Sequence, residues 1–138
     1  MSDKRKALLD EVGPARRDFA LEFSECFNCW DRWRQDTSYP RRLETHEIAR
    51  GCHRENALYA RAAWLRLCAR CHDRMGSLHV WPIERQLALK KICDRRYYSR
   101  VLVNRLRGRD ANAITEEEVD EWVERLQYER SRGYGGAP

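Results

Sequence analysis

The chain is 138 residues long, enough for one modest hydrophobic core but not for two independent ones. Charged residues make up 36% of it, yet five Trp, six Tyr and 42% hydrophobic residues exclude a disordered chain. The formal net charge is +5 at pH 7, and much of the acidic charge lies in residues 116–129, so the rest is more basic. A basic body suits a polyanionic partner, although a solvated surface would explain it equally well.

The first residues are charged and lead into no apolar stretch of signal-peptide length, and no apolar run is long enough to cross a membrane. We therefore expect a soluble protein of the cytoplasm that does not bind membranes. In that reducing compartment the six cysteines are expected to be metal ligands or buried thiols rather than disulfides.

The N-terminal segment, residues 1–25, predicts a helical opening that is interrupted at Gly13-Pro14 and followed by an apolar segment around Phe19. Residues 26–80 hold the cysteine and histidine motifs, with an extended segment at 43–48 that predicts a hairpin followed by a helix. Residues 81–132 predict C-terminal helices, and residues 133–138 predict a flexible tail.

Three helices are expected in the C-terminal part. Pro82 opens the first, which runs to about residue 93, and Gly108 ends a second at 97–106. Thr115 and Glu118 form a capping box for the third. Its apolar positions are typical of an amphipathic helix packed on the domain: Val119, Trp122, Val123 and Leu126.

Two Cys-x-x-Cys motifs carry the clearest chemistry: Cys26 with Cys29, and Cys68 with Cys71. Each motif places two thiolates on a tight turn, and two such turns together offer the four sulfurs that tetrahedral zinc prefers. Zinc binding of this kind contributes on the order of 10–16 kcal/mol, so the metal is expected to be a condition of folding. Cys52 and Cys93 stand alone and are expected to be structural or free thiols.

His46 and Glu47 are adjacent in the extended segment, and His72 directly follows the second cysteine motif. Adjacent strand residues point to opposite faces, so His46 and Glu47 cannot easily do the same job. Taken alone, His46 is better explained by a structural role than by metal binding. The cysteine turn gives His72 a rigid support.

In order and spacing, the Cys-x-x-Cys motif, the segment Leu-Glu-Thr-His-Glu-Ile and the segment Leu-Cys-Ala-Arg-Cys-His resemble the HNH (ββα-metal) endonuclease family in its four-cysteine zinc form, of the phage type. The likeness covers roughly residues 26–75. It implies an α+β, mainly α protein with a small ββα-metal core stapled by the four-cysteine zinc site and flanked by helices. It also implies hydrolysis of DNA phosphodiester bonds, by nicking or double-strand cleavage, that leaves a 5′ phosphate.

The resemblance assigns roles to individual residues. His46 and His72 become ligands of one divalent cation, which would be Mg²⁺, Mn²⁺, Ni²⁺ or Co²⁺, and Glu47 occupies the position of the general base. This chain departs from the family twice, because the usual base is histidine and because Ala62-Ala63-Trp64 replaces the middle asparagine. His53 is therefore a second candidate base, and Asn56 a candidate for the orienting role.

The partner that the resemblance implies is DNA, in a bacterial cell or a phage-infected host. The expected phosphate contacts are four arginines around the motif: Arg50, Arg54, Arg70 and Arg74. A homodimer, and a protein partner from a phage or defence system, stay open.

Two other functions also stay open. A zinc-stapled DNA-binding or assembly protein could keep this scaffold without catalysis, as the missing histidine base suggests. A zinc-dependent protein-interaction domain could use the acidic helix after Thr115 to dock a partner.

Overall fold

A computed structural model describes residues 3–29, 42–49, 53–72 and 81–134. The helices and strands, in chain order, are α1 (Asp3–Glu22), β1 (Leu43–Glu47), α2 (Arg54–Ala57), β2 (Trp64–Cys68), α3 (Ile83–Cys93), α4 (Arg100–Leu106) and α5 (Glu116–Glu129). Shorter helical turns lie at Arg61–Ala63, Arg95–Tyr97, Arg130–Tyr134 and 69–72. The described chain is thus mainly helical with one small sheet, as the α+β prediction requires.

The N-terminal helix differs from the prediction, because α1 runs through Gly13 and Pro14 without a break. Packing along one side of the helix offsets the backbone bond that proline cannot make. Phe19 is fully buried there, and Arg16 forms an ion pair with Glu47 of β1 at 3.1 Å. Tertiary contacts therefore override the local signal for a helix end.

The two strands form an antiparallel hairpin in which His46 lies opposite Leu65 and Glu47 lies opposite Trp64. Because side chains alternate along a strand, Glu44 and His46 share one face, while Thr45 and Glu47 share the other. The second face packs on α1, where the Phe19 and Trp64 rings are 5.5 Å apart. The first face meets α3.

The C-terminal helices follow the sequence pattern closely. Helix α3 begins directly after Pro82, and the capping box of α5 is formed by reciprocal hydrogen bonds between Thr115 and Glu118. The apolar side of α5 packs on the core, with Val119 fully buried and Leu126 nearly so. Helix α4 is shorter than predicted, since a separate turn, Arg95–Tyr97, precedes its cap.

The core lies between α1, the hairpin and α3, and its central side chains are fully or almost fully buried: Phe19, Trp64, Leu65, Leu67, Leu87, Leu89 and Val103. Within the described segments, no helix has the length and apolar content needed to cross a bilayer. The core therefore fixes both faces of the hairpin, one against α1 and the other against α3.

Candidate metal and catalytic centre

The four predicted zinc cysteines meet in one cluster, with their sulfur atoms all within 4.8 Å of one another. Cys29 Sγ is 3.6 Å from Cys71 Sγ and 4.0 Å from Cys68 Sγ. Four sulfurs at about 2.3 Å from a tetrahedral zinc ion would be about 3.8 Å apart, so the observed spacing fits that ion. The cluster can bind zinc.

The four sulfur atoms also shift one another's pKa values. Hydrogen bonds among the sulfurs, first with Cys26, lower the pKa of Cys68 and raise that of Cys29. Four thiolates this close repel one another, so some thiols keep their protons until a cation neutralises the charge. A divalent metal ion would supply that charge.

The cluster joins the two strands to the first cysteine turn. Phe27 N donates to the Arg66 carbonyl of β2 at 2.7 Å, which aligns this turn along the hairpin. Asn28 Nδ2 donates to Cys71 Sγ at 3.4 Å, and Asn28 Oδ1 accepts from Arg85 of α3 at 2.9 Å. Such outer contacts orient metal ligands and tune their basicity.

Cys93 lies outside the cluster, as predicted. Its Sγ is 3.6 Å from the Phe27 carbonyl oxygen, and the described cysteines form no disulfide. The prediction for Cys52 falls outside the described residues.

The structure also brings His46 and His72 together. Their ring centroids are 5.2 Å apart, and the rings meet edge to face at 72°. His46 comes from β1, and His72 comes from the turn at 69–72 that holds Cys71. The candidate ligands of the second metal thus lie next to one another on the face of the hairpin that meets α3.

The hydrogen bonds of His46 set its tautomer. Gln86 Nε2 donates to the Trp81 carbonyl at 3.1 Å, so Gln86 Oε1 is the atom that faces His46 Nε2, at 2.9 Å. Because that oxygen can only accept, His46 Nε2 carries the proton and Nδ1 of the neutral ring carries the lone pair.

His72 is held in a similar way by a carboxylate. Its Nδ1 lies 3.0 Å from Glu44 Oε2, which assigns the proton to Nδ1 and the lone pair of the neutral ring to Nε2. Ligating histidines commonly donate their other ring nitrogen to such an acceptor. Both rings therefore have the support that a metal ligand needs.

Glu47 lies on the opposite face from His46 and His72. Its residue is only 6% exposed, and its Oε2 accepts from Arg16 Nη2 of α1 at 3.1 Å. The position expected for a general base is thus filled by a side chain directed into the α1 interface, so Glu47 is not placed to activate water beside the two histidines.

His53, the second candidate base, lies just before α2 and lines a cavity of about 430 Å³ with Trp81 and Arg107. Trp81 also accepts a hydrogen bond from Gln86, the residue that holds His46. Trp81 thus connects the cavity at His53 with the residue that holds His46.

The remaining predicted site residues are only partly described. Arg70 is half-buried in the turn that carries His72, and Asn56 is exposed on α2. Arg50 and Arg74 fall outside the described residues, and nothing is described of the Arg54 side chain. Phosphate contacts by these arginines stay a prediction.

Sequence reasoning missed Glu44 and Gln86. Glu44 is two residues before His46, a spacing that puts both on one strand face and could have been used. Gln86 comes from a helix about forty residues away, so no local signal indicated it. Comparison with protein-family models, with curated proteins and with solved structures found no match.

Proposed function

We propose that this protein is a metal-dependent DNA endonuclease of the HNH (ββα-metal) type, with a structural zinc ion on the four cysteines. The observation that carries the proposal is the pairing of His46 with His72 on the hairpin face beside the zinc cluster. The order of hairpin, cysteine turn and histidine is the one expected for a ββα-metal core.

His46 and His72 would hold one divalent cation, each with the nitrogen that does not donate to Gln86 or Glu44. Two imidazoles favour Mn²⁺, Ni²⁺ or Co²⁺ over Mg²⁺. When bound, such an ion stabilises the negative charge that develops on a phosphodiester during hydrolysis. The protein's part is to keep both rings oriented, which the Gln86 and Glu44 acceptors do.

We assign water activation to His53 rather than Glu47. A base must accept a proton at neutral pH, and Glu47 is engaged with Arg16 on the far side of the sheet. An imidazole nitrogen can accept a proton from water, and His53 lines an open cavity next to Trp81. In hydrolysis, His53 would take the proton from the attacking water.

The test is cleavage of supercoiled plasmid by zinc-loaded protein with Mg²⁺, Mn²⁺, Ni²⁺ or no added ion. We expect cleavage only with an added ion, and its loss in His46→Ala, His72→Ala and His53→Ala. Thr45→Val is the matched control, because Thr45 precedes His46 on β1 but faces α1, and it should keep activity. Cleavage that persists in His46→Ala would refute the assigned site.

A second candidate is a zinc-stapled DNA-binding protein without catalysis. It is favoured by one observation, that Glu47 is buried in an ion pair where the family has its base. A folded wild type that binds DNA but leaves plasmid intact with every ion would support this alternative and exclude the nuclease.

A further inference from the structure

The cavity beside His53 is a basic concave surface outside the histidine pair. His53, Arg107 and Arg109 line it together with Trp81, and none of the described lining residues is acidic. Its volume of about 430 Å³ falls within the range of ligand pockets, about 300–1000 Å³. Cationic side chains around a pocket of this size suit a phosphate group.

The backbone that carries the two arginines is fixed. Gly108 lies between them with a φ of 72°, and Gly108 N donates to the Arg105 carbonyl at 2.9 Å. Arg109 N donates to the Asn104 carbonyl at 2.9 Å, which closes the end of α4. Both arginines therefore project from a rigid helix end rather than from a loose loop.

Gly108 also lets His53 approach. A Cβ at this position would lie 2.5 Å from His53 Cε1, so only glycine allows the ring to lie against the helix end. This close contact brings the imidazole and the two guanidinium-bearing residues to one cavity, although His53 is more than fifty positions away in the chain.

The cavity is connected to the candidate metal site through Trp81 and Gln86. Trp81 forms part of its wall, the Trp81 carbonyl accepts from Gln86, and Gln86 accepts from His46. The cavity and the candidate metal site are thus linked by two hydrogen bonds.

We propose that the cavity lined by His53, Arg107 and Arg109 binds a backbone phosphate of the polynucleotide, next to the phosphate at the histidine pair. The inference rests on the proposed function, since it names a substrate contact of the same site. A free phosphate or a mononucleotide offers the same chemistry, and the experiment distinguishes these sources.

The experiment measures binding of a short fluorescent DNA duplex by zinc-loaded protein, without added divalent ion, at several salt concentrations. The variant is the double substitution Arg107→Gln with Arg109→Gln, and the control is Arg105→Gln, an exposed arginine of α4 that does not line the cavity. Each lost phosphate contact lowers the slope of log K against log salt by about 0.9. Because the double variant removes both arginines from one phosphate, we expect a loss of about 0.9. The control should lose less than half of that.

Inorganic phosphate is the second probe, followed by NMR shifts of the Gly108 amide and the His53 ring. We expect saturable shifts in the wild type that disappear in the double variant. Phosphate binding here without any effect of the double variant on DNA binding would overturn the polynucleotide assignment in favour of a small phosphate compound. If phosphate causes no localised NMR shift and the double variant has the same salt slope as the control, the cavity does not bind phosphate and the proposal is wrong.

Plasmid cleavage separates the two proposals. If wild type does not cut but the double variant loses DNA affinity beyond the control, the cavity stands and the nuclease fails. If wild type cuts and the double variant binds DNA as the control does, the nuclease stands and the cavity fails.

Discussion

The two faces of β1 carry side chains of similar chemistry but in opposite surroundings. On the face toward α1, Glu47 is buried and paired with Arg16, and Thr45 accepts a hydrogen bond from Arg66. On the face toward α3, Glu44 and His46 keep partial exposure and hold hydrogen bonds with His72 and Gln86. One face joins helix to sheet, and the other assembles a candidate site.

The difference shows how strand alternation sorts a short motif. His46 and Glu47 are neighbours in sequence, yet the pleat sends them to opposite sides of the sheet. Residues two positions apart, such as Glu44 and His46, lie on the same face and can contribute to the same site. Stability and chemistry should therefore separate cleanly when single residues of β1 are changed.

Removing zinc should disrupt the packing on both faces of β1, and it has the largest expected effect on stability. Zinc binding of about 10–16 kcal/mol matches or exceeds the roughly 5–15 kcal/mol stability of a typical domain, so a strong chelator should unfold the protein. Cys71→Ser should have a similar effect, whereas Cys93→Ser, outside the cluster, should stay folded. Circular dichroism with zinc analysis checks this, and native spectra after complete zinc removal would contradict it.

Glu47→Gln should weaken only the packing between β1 and α1. The substitution leaves Arg16 without its carboxylate partner, and breaking a buried pair in this way costs about 3–5 kcal/mol. We expect the lower end, because 16% of the Arg16 side chain is exposed. Urea unfolding of zinc-loaded protein measures the cost, with Glu44→Gln as the control on the other face. Equal losses in both variants would argue against the separation of the faces.

Lys90 connects α3 to the hairpin. Its amine donates to the Trp64 carbonyl of β2 at 2.8 Å and to the Asp94 carboxylate at 2.6 Å. Burial lowers its pKa from 10.5 to about 8. Between these values the unfolded chain binds the proton more strongly, so the contribution of Lys90 to stability rises with pH from about 8 to 10.5. The pKa difference corresponds to about 3 kcal/mol.

The measurement is the free energy of unfolding of wild type and Lys90→Met across this pH range. The free energy of unfolding of the wild type should increase by about 3 kcal/mol relative to that of Lys90→Met as pH rises. Lys91→Met is the control, because the pKa of Lys91 is shifted in the opposite direction. Burial lowers that pKa, but hydrogen bonds to Asp120 and Glu116 outweigh burial and raise it. A pH-independent difference for Lys90→Met would contradict the assignment.

Gln86→Leu should affect only the face of β1 toward α3, and its expected effect is the smallest. Gln86 is 1% exposed and positions His46, so its loss should weaken divalent-ion binding by about 10- to 100-fold with zinc retained. Nitrogen NMR of the His46 ring should also show a changed tautomer. Gln127→Leu, an exposed residue of α5, is the control, and unchanged ion affinity in Gln86→Leu would remove Gln86 from the site.

Local patterns in the sequence were enough to predict the four-cysteine cluster and the C-terminal helices. Two Cys-x-x-Cys turns specify their own geometry, and the caps at Pro82 and Thr115 act within one helical turn. The meeting of His46 and His72 was expected only through a family resemblance, since nothing in their spacing requires it.

The rest depends on contacts between distant segments. Helix α1 passes through Pro14 because Phe19 and Arg16 pack on the hairpin, a gain that local propensity does not include. The role of Gln86 depends on how α3 crosses the sheet. The cavity at His53 depends on the left-handed turn at Gly108, whose partner is known only once the chain has folded.

The most direct test of the two-faced strand is a calorimetric titration of Ni²⁺ into zinc-loaded wild type, His46→Ala and Glu47→Gln, at a temperature where all three are folded. We expect one Ni²⁺ site in the wild type, its loss in His46→Ala and its retention in Glu47→Gln. A site that survives His46→Ala, or that disappears with Glu47→Gln, would contradict the separation of the two faces.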